Sequence, residues 1–280
     1  MLNNKFFLLA IALLAVSSSA WVVRFLPDTS AITLAFWRMF LASAMVFILS
    51  YKTLTRFVPN KKILLAGIFL GIHFALFFRA VQLTSIAEAA LLGTTAPIFT
   101  EIYGFLFKRK KPVVMVLVGL FVAFLGAGTL VSQSSFSETS SLGNIFAVFC
   151  SVAMALVLIL GKEVRKETPV FEYTRWLFFF AATTLFFISL LFDVSVFSFT
   201  LKEFCWFLFL ALVPTMVGHN IFYYLIKNLS TTTVAAVPLG EPVVSSVGAF
   251  FLFGEPVSVA VAVGGSITLL GVFLVIRFGD

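Results

Sequence analysis

The chain has 280 residues, 61% hydrophobic and only 11% charged, with a net charge of +7 and a mean hydropathy of +1.12. A soluble domain carries roughly 25% charged residues, so these residues cannot form a water-facing shell, and the bilayer must be the solvent. The basic residues sit in short clusters between apolar runs, as topology determinants do, which argues against a nucleic-acid surface.

A helix needs about 20 apolar residues to cross the hydrocarbon. Such runs fall at 5–24, 31–50, 63–83, 88–107, 113–131, 142–160, 173–192, 204–226, 233–253 and 257–277. They predict an all-α integral membrane protein of ten transmembrane helices. The first run, Lys5 then Phe6–Val16 and Ser17–Ala20, imitates a signal peptide; its apolar character continues through Trp21–Val23, so it reads as a retained helix. Short linkers leave no room for a soluble domain. The longest polar stretch is Ser132–Ser141. Cys150 and Cys205 lie in separate apolar runs without metal spacing and read as core residues.

With the N-terminus placed in the cytoplasm, alternate loops collect 14 of the 19 Lys and Arg on the inner side, against Arg24 and Lys202 outside. Cytoplasmic retention of positive charge makes both termini cytoplasmic.

Residues 75–131 and 220–276 superpose without a gap at a constant spacing of 145. Phe77 falls on Phe222, Pro97 on Pro242, Gly119 on Gly264 and Gly126 on Gly271. Five helices per copy is an odd number, so the second copy enters the membrane inverted. The basic junction Lys108–Lys111 lands inside and its counterpart Phe253-Gly254-Glu255-Pro256 outside. The expected organisation is a first repeat over 1–131, a periplasmic linker over 132–141 and an inverted repeat over 142–280. Inverted repeats let one bundle expose a central site to either side in turn.

Several residues are candidates for that site. Pro97 and Pro242 stand mid-run, where proline frees a carbonyl one turn earlier and marks a hinge or cavity wall. Arg38 and Glu241 lie near the midplane by helix rise, able to pair with each other or with a zwitterionic substrate. Arg79 and Glu88 sit nearer the outer boundary as a candidate gate pair. His73 and His219 are candidate proton relays beside Asn220. Trp21, Trp37, Phe77, Phe78, Tyr223 and Tyr224 offer faces for an aromatic or cationic solute. Gly67-xxx-Gly71 and Gly119-xxx-Ala123-xxx-Ala127 read as packing faces. No phosphate loop, HExxH or GxSxG occurs, which disfavours ATP hydrolysis and membrane-enzyme chemistry, and nothing calls for a metal or a cofactor.

The segments Phe36-Trp37-Arg38-Met39-Phe40, Leu91-Leu92-Gly93-Thr94-Thr95-Ala96-Pro97, Leu239-Gly240-Glu241-Pro242-Val243-Val244 and Gly264-Gly265…Leu270-Gly271 resemble, in order and spacing, the EamA-type members of the drug/metabolite transporter superfamily. The likeness spans essentially the whole chain. It implies a bacterial inner-membrane secondary carrier of amino acids or other small metabolites, often outward. Arg175 resembles a second-half echo of Arg38. The partners expected are a zwitterionic or cationic small molecule, a coupling proton or exchanged solute, and the bilayer. Rival readings are import or exchange of a cationic cofactor-like metabolite such as S-adenosylmethionine, and a membrane enzyme or scaffold without flux.

Overall fold

The computed structural model describes residues 2–52, 59–84, 86–131, 140–253 and 259–279. The polar linker over 132–139, Arg56 and the junction 254–256 lie outside the described residues. The described chain is helical throughout: α1 (Leu2–Phe25), α2 (Ala31–Leu49), α3 (Lys61–Leu83), α4 (Ile86–Gly93), α5 (Ala96–Lys108), α6 (Val114–Val131), α7 (Ser140–Arg165), α8 (Val170–Leu191), α9 (Leu201–Leu210), α10 (Asn220–Leu225), α11 (Thr231–Ala236), α12 (Glu241–Phe253) and α13 (Val259–Phe278). A π-helical stretch, Ala211–His219, joins α9 to α10, and a 3-10 turn, Val237–Gly240, joins α11 to α12. Among the described residues, eight runs are long and apolar enough to cross a membrane, and two shorter apolar helices, Val114–Thr129 and Ala262–Phe278, pack on each other. Phe7, Phe107, Phe187 and Leu191 are among the large apolar side chains on the exterior, where lipid satisfies them.

Three of the ten expected spans are interrupted. Pro97 has no N–H and its ring would clash with the Gly93 carbonyl of a continuous helix, so α4 stops at Gly93 and α5 restarts behind Thr95, with Pro97 in its first turn. Pro238 and Pro242, on either side of Gly240, impose the 3-10 turn and the restart at Glu241. Pro214 lies inside the π-helical stretch, where the wider turn accommodates the missing donor. The prolines are thus not kinks in continuous helices; each sits in or beside a true break.

The spacing of 145 reappears in these bounds. Moved by that spacing, α5 (Ala96–Lys108) becomes Glu241–Phe253, the bounds of α12. The packing obeys the same two-fold relation. α6 lies on its counterpart α13 and α2 on α8, while α3 against α7 mirrors the π-helical stretch against α1. At the α6–α13 contact the glycines are reciprocal. A Cβ on Gly119 would lie 2.9 Å from Gly271 O, and one on Gly271 2.6 Å from Gly119 O. Gly126 and Gly264 face each other in the same way, at 2.5 and 2.7 Å. Such self-complementarity is the mark of a two-fold interface, and only glycine lets the backbones approach so closely. Gly67 and Gly71 perform the same service for α3 against Leu177–Thr184 of α8.

Candidate functional site

Both helix breaks and the π-helical stretch converge on one buried cavity. Its wall is written twice: Phe74, Phe77, Gly93 and Ala96 from the first half, and His219, Phe222, Pro238 and Glu241, their counterparts at the spacing of 145, from the second. The space open to water is about 50 Å³, a few molecules' worth, so this conformation is drawn tight around its centre.

Arg38 enters from α2 and is 1% exposed. Its Nε donates to Thr215 Oγ1 at 2.8 Å and its Nη1 to Ser19 Oγ at 3.2 Å. The guanidinium lies over the Phe74 ring, 4.1 Å from its centroid, a cation–π contact strengthened by its burial. Nη2 is buried without a partner among the described residues. Thr215 holds this geometry because its hydroxyl also donates to Leu210 O, five residues back, inside the π-helical stretch. The local irregularity therefore has a chemical consequence: it positions the hydroxyl that orients Arg38.

Glu241 opens α12 at the 3-10 break. A carboxylate in the first turn of a helix is favoured by the exposed N–H groups there. Arg38 and Glu241 line the same cavity, yet they form no direct ion pair among the described residues; Arg38 is held by hydroxyls instead. His73 completes the polar set. Its Nδ1 lies 2.9 Å from Cys150 O, and because a carbonyl can only accept, Nδ1 carries the proton and leaves Nε2 as the other functional nitrogen. Cys150 is itself buried.

The remaining sequence-derived candidates divide. Phe77 lines the cavity. Phe78 lies beneath it, wholly buried, 5.8 Å from the Arg38 guanidinium carbon. Trp37 faces elsewhere: its indole donates to Val196 O and packs among Phe199, Phe204 and Phe207. Asn220 is buried against Met216, and Tyr223 against Tyr173, both behind the wall rather than on it. Trp21 donates to Ser245 O and fills the space over Gly248, joining α1 to α12, while Tyr224 is 53% exposed. A six-ring cage does not form, because neighbours on a helix point in different directions. The expected Arg79–Glu88 pair does not form either: Arg79 donates to Gln82 Oε1, and Glu88 accepts from Thr84 Oγ1. Arg175 is buried at the C-terminal end of α2, donating to Ser50, outside the cavity. Cys205 is exposed on α9 rather than in the core, an easy place for a small apolar thiol beside lipid.

Sequence reasoning missed Ser19 and Thr215, the hydroxyls that hold Arg38. Pro214, within an apolar run, was the available signal for the irregular helix. It also missed Glu163, which accepts from Lys62 Nζ at 2.6 Å and Lys108 Nζ at 3.0 Å and so joins α3, α5 and α7 at the basic rim of the bundle.

The EamA-like transporter family matches the chain twice, over residues 5–132 and 141–277. An uncharacterized transporter of Archaeoglobus fulgidus is 25% identical over 98% of both chains. The pseudopaline exporter CntI of Pseudomonas aeruginosa is 28% identical over 74% of this chain and 72% of its own. One crystal structure, 17% identical, superposes with a TM-score of 0.80 over 99% of this chain and 98% of that one, a likeness of fold. The chain therefore belongs to the EamA-like transporter family of the drug/metabolite transporter superfamily: it is a multi-pass membrane transporter and not an enzyme.

Proposed function

We propose that the protein is a secondary active exporter of small zwitterionic or cationic metabolites, amino acids and their relatives among them, in a bacterial inner membrane. The observation that carries this reading is one buried cavity holding a guanidinium with an unpartnered Nη2 and, from the opposite half, a carboxylate with which it makes no ion pair. Buried charge in a membrane is costly unless something neutralises it, and a solute bearing both a carboxylate and an amine would do so at both ends. Arg38 holds the carboxylate, Glu241 the amine or a coupling proton, and Phe74 and Phe77 the hydrocarbon between.

The two halves, 1–131 and 142–280 with the linker 132–141, exchange access by rocking about the α6–α13 and α2–α8 contacts, with the breaks beside Pro97 and Pro242 as hinges. The basic rim and both termini face the cytoplasm, as the distribution of Lys and Arg supports. Outward direction draws support from the name of the Pseudomonas relative. The test is a thermal-shift screen of purified protein against amino acids, nucleosides, S-adenosylmethionine and quaternary amines, followed by flux in sealed liposomes. A folded-state ligand raises Tm by mass action. Hits confined to zwitterions and amines, lost in Arg38→Ala or Glu241→Gln, are expected; a purely anionic or uncharged set of hits would overturn the substrate class.

A further inference from the structure

Behind the cavity wall, on the side of the basic rim, three successively neighbouring rings each bury a polar atom without a partner among the described residues: His219 Nδ1, Tyr223 Oη and Tyr173 Oη. His219 is 6% exposed, and both tyrosines are wholly buried. His219 lines the cavity. One helical turn on, the Tyr223 ring centroid is 6.1 Å from its imidazole, and the Tyr173 ring follows at 5.6 Å. Tyr173 Oη then meets α7 at Gly161, where a Cβ would sit only 2.7 Å away. One turn further along α7, Arg165 donates from Nε to Tyr223 O and from Nη1 to Thr168 O, at the basic rim. Buried hydroxyls almost always find a partner, and two in a row beside an unpartnered imidazole nitrogen ask for a common explanation.

The repeat supplies the control. At the spacing of 145, the position of Tyr223 is occupied in the first half by Phe78, which is equally buried and has no hydroxyl. Packing alone is therefore met by phenylalanine at this place in the fold, and the hydroxyl series exists on one side only.

We infer that His219, Tyr223 and Tyr173 form a hydrated proton route from the central cavity to the basic rim, separate from the solute's path. This rests on the reading of Glu241 as a proton carrier. Water completes the series, since buried polar groups without protein partners are where internal water binds. In each hop a hydroxyl or water accepts one proton on a lone pair and releases its own to the next acceptor. A proton arriving at His219 Nδ1 is balanced by one leaving Nε2 into the cavity, where the Glu241 carboxylate takes it. The charged and titratable groups facing His219 are Arg38 from α2, His73 from α3, Glu241 from α12 and Tyr223 from its own helix, and Arg165 stands at the far end. Arg165 keeps the route free of other cations without itself exchanging a proton.

Two measurements test this. Hydroxyl-radical footprinting of the full-length protein reports internal water: Tyr173 and Tyr223 should label about fivefold or more above Phe178, an equally buried neighbour. Labelling at the Phe178 level would overturn the hydrated route whatever the protein transports. In proteoliposomes containing a pH-sensitive dye, amino acids, S-adenosylmethionine, nucleosides and quaternary amines are then applied singly as probes. Solute-linked proton movement should fall about tenfold or more in Tyr223→Phe and Tyr173→Phe and stay unchanged in Tyr224→Phe, with solute exchange retained in all three. Undiminished proton movement in the first two variants would overturn the proton role. Solute flux without proton movement in the wild type would overturn it as well, while leaving the transport reading intact.

Discussion

The two halves of this molecule share a backbone and differ in chemistry. The half-helix α5 begins at Ala96 and α12 at Glu241, the same position at the spacing of 145, and both residues face the cavity. Phe74 stands opposite His219 and Phe78 opposite Tyr223 in the same register. The first half supplies apolar walls, Arg38 and the imidazole of His73; the second supplies the carboxylate, a second imidazole and the hydroxyls behind it. Duplication builds the bundle, its axis and its breaks, and departures from the repeat put charge onto a site that symmetry would have left uniform. The site is therefore to be sought where the halves disagree.

The sharpest way to break this comparison is to move the charge. Glu241→Gln is expected to lower proton-linked flux by about 100-fold, the scale of losing a positioned proton carrier, measured as dye-reported proton movement in proteoliposomes. If the cavity is truly two-fold, adding Ala96→Glu to Glu241→Gln restores part of that flux. No recovery would mean that the carboxylate must stand where His219 and its hydroxyl series can reach it. Next in size is Arg38→Lys. The planar fork donates to two hydroxyls from α1 and the π-helical stretch at once, which an ammonium cannot reproduce. Solute affinity should weaken about tenfold, roughly 1.4 kcal/mol, read from the solute dependence of flux. Unchanged affinity would remove Arg38 from the binding role.

The packing side of the comparison has its own test. Gly126→Val and Gly264→Val each force a side chain into the opposing backbone of the α6–α13 contact, and overpacking costs about 1–3 kcal/mol. Because the two glycines face each other, the double variant should not be additive. Thermal melts of the three proteins decide this. Additive losses would show that the contact is not shared.

How far the sequence was readable follows the same division. Apolar length alone placed the eight runs long enough to cross a membrane and the two shorter apolar helices among the described residues, because hydrocarbon thickness dictates such runs, and Pro97, Pro242, Gly119 and Gly126 announced the repeat by fixing backbone geometry. Arg38, His73 and Glu241 stood out because charge and imidazole in an apolar run are anomalous. Ser19 and Thr215 did not, since a hydroxyl in a transmembrane helix usually bonds its own backbone one turn back, as Ser17 does to Leu13 O. Whether it also meets an arginine depends on helix rotation, which composition does not encode. The Arg79–Glu88 pair failed for a similar reason: Gln82 lies one turn from Arg79 on the same helix face and takes its hydrogen bond, while Glu88 is met by Thr84, one turn before it.

The smallest expected effect is at the rim. Glu163 joins Lys62 on α3 to Lys108 on α5, whereas at the spacing of 145 the two lysines become Phe207 and Phe253. Charge thus closes one end of the bundle where the other end has aromatic residues. The lysine side chains are about half exposed, 52% and 49%, and Glu163 is 27% exposed, so water screens the bridge and its contribution to stability is small. Glu163→Gln should leave Tm almost unchanged. The same free energy, applied to an equilibrium between closed and open basic rims, shifts it about fivefold at most. With Cys150 and Cys205 replaced by serine and a single cysteine introduced by Leu158→Cys on the cavity wall, a membrane-impermeant maleimide reaching it from the basic side should react about two- to fivefold faster when Glu163→Gln is added. An equal rate would mean that helix packing, and not this ion bridge, holds the rim shut.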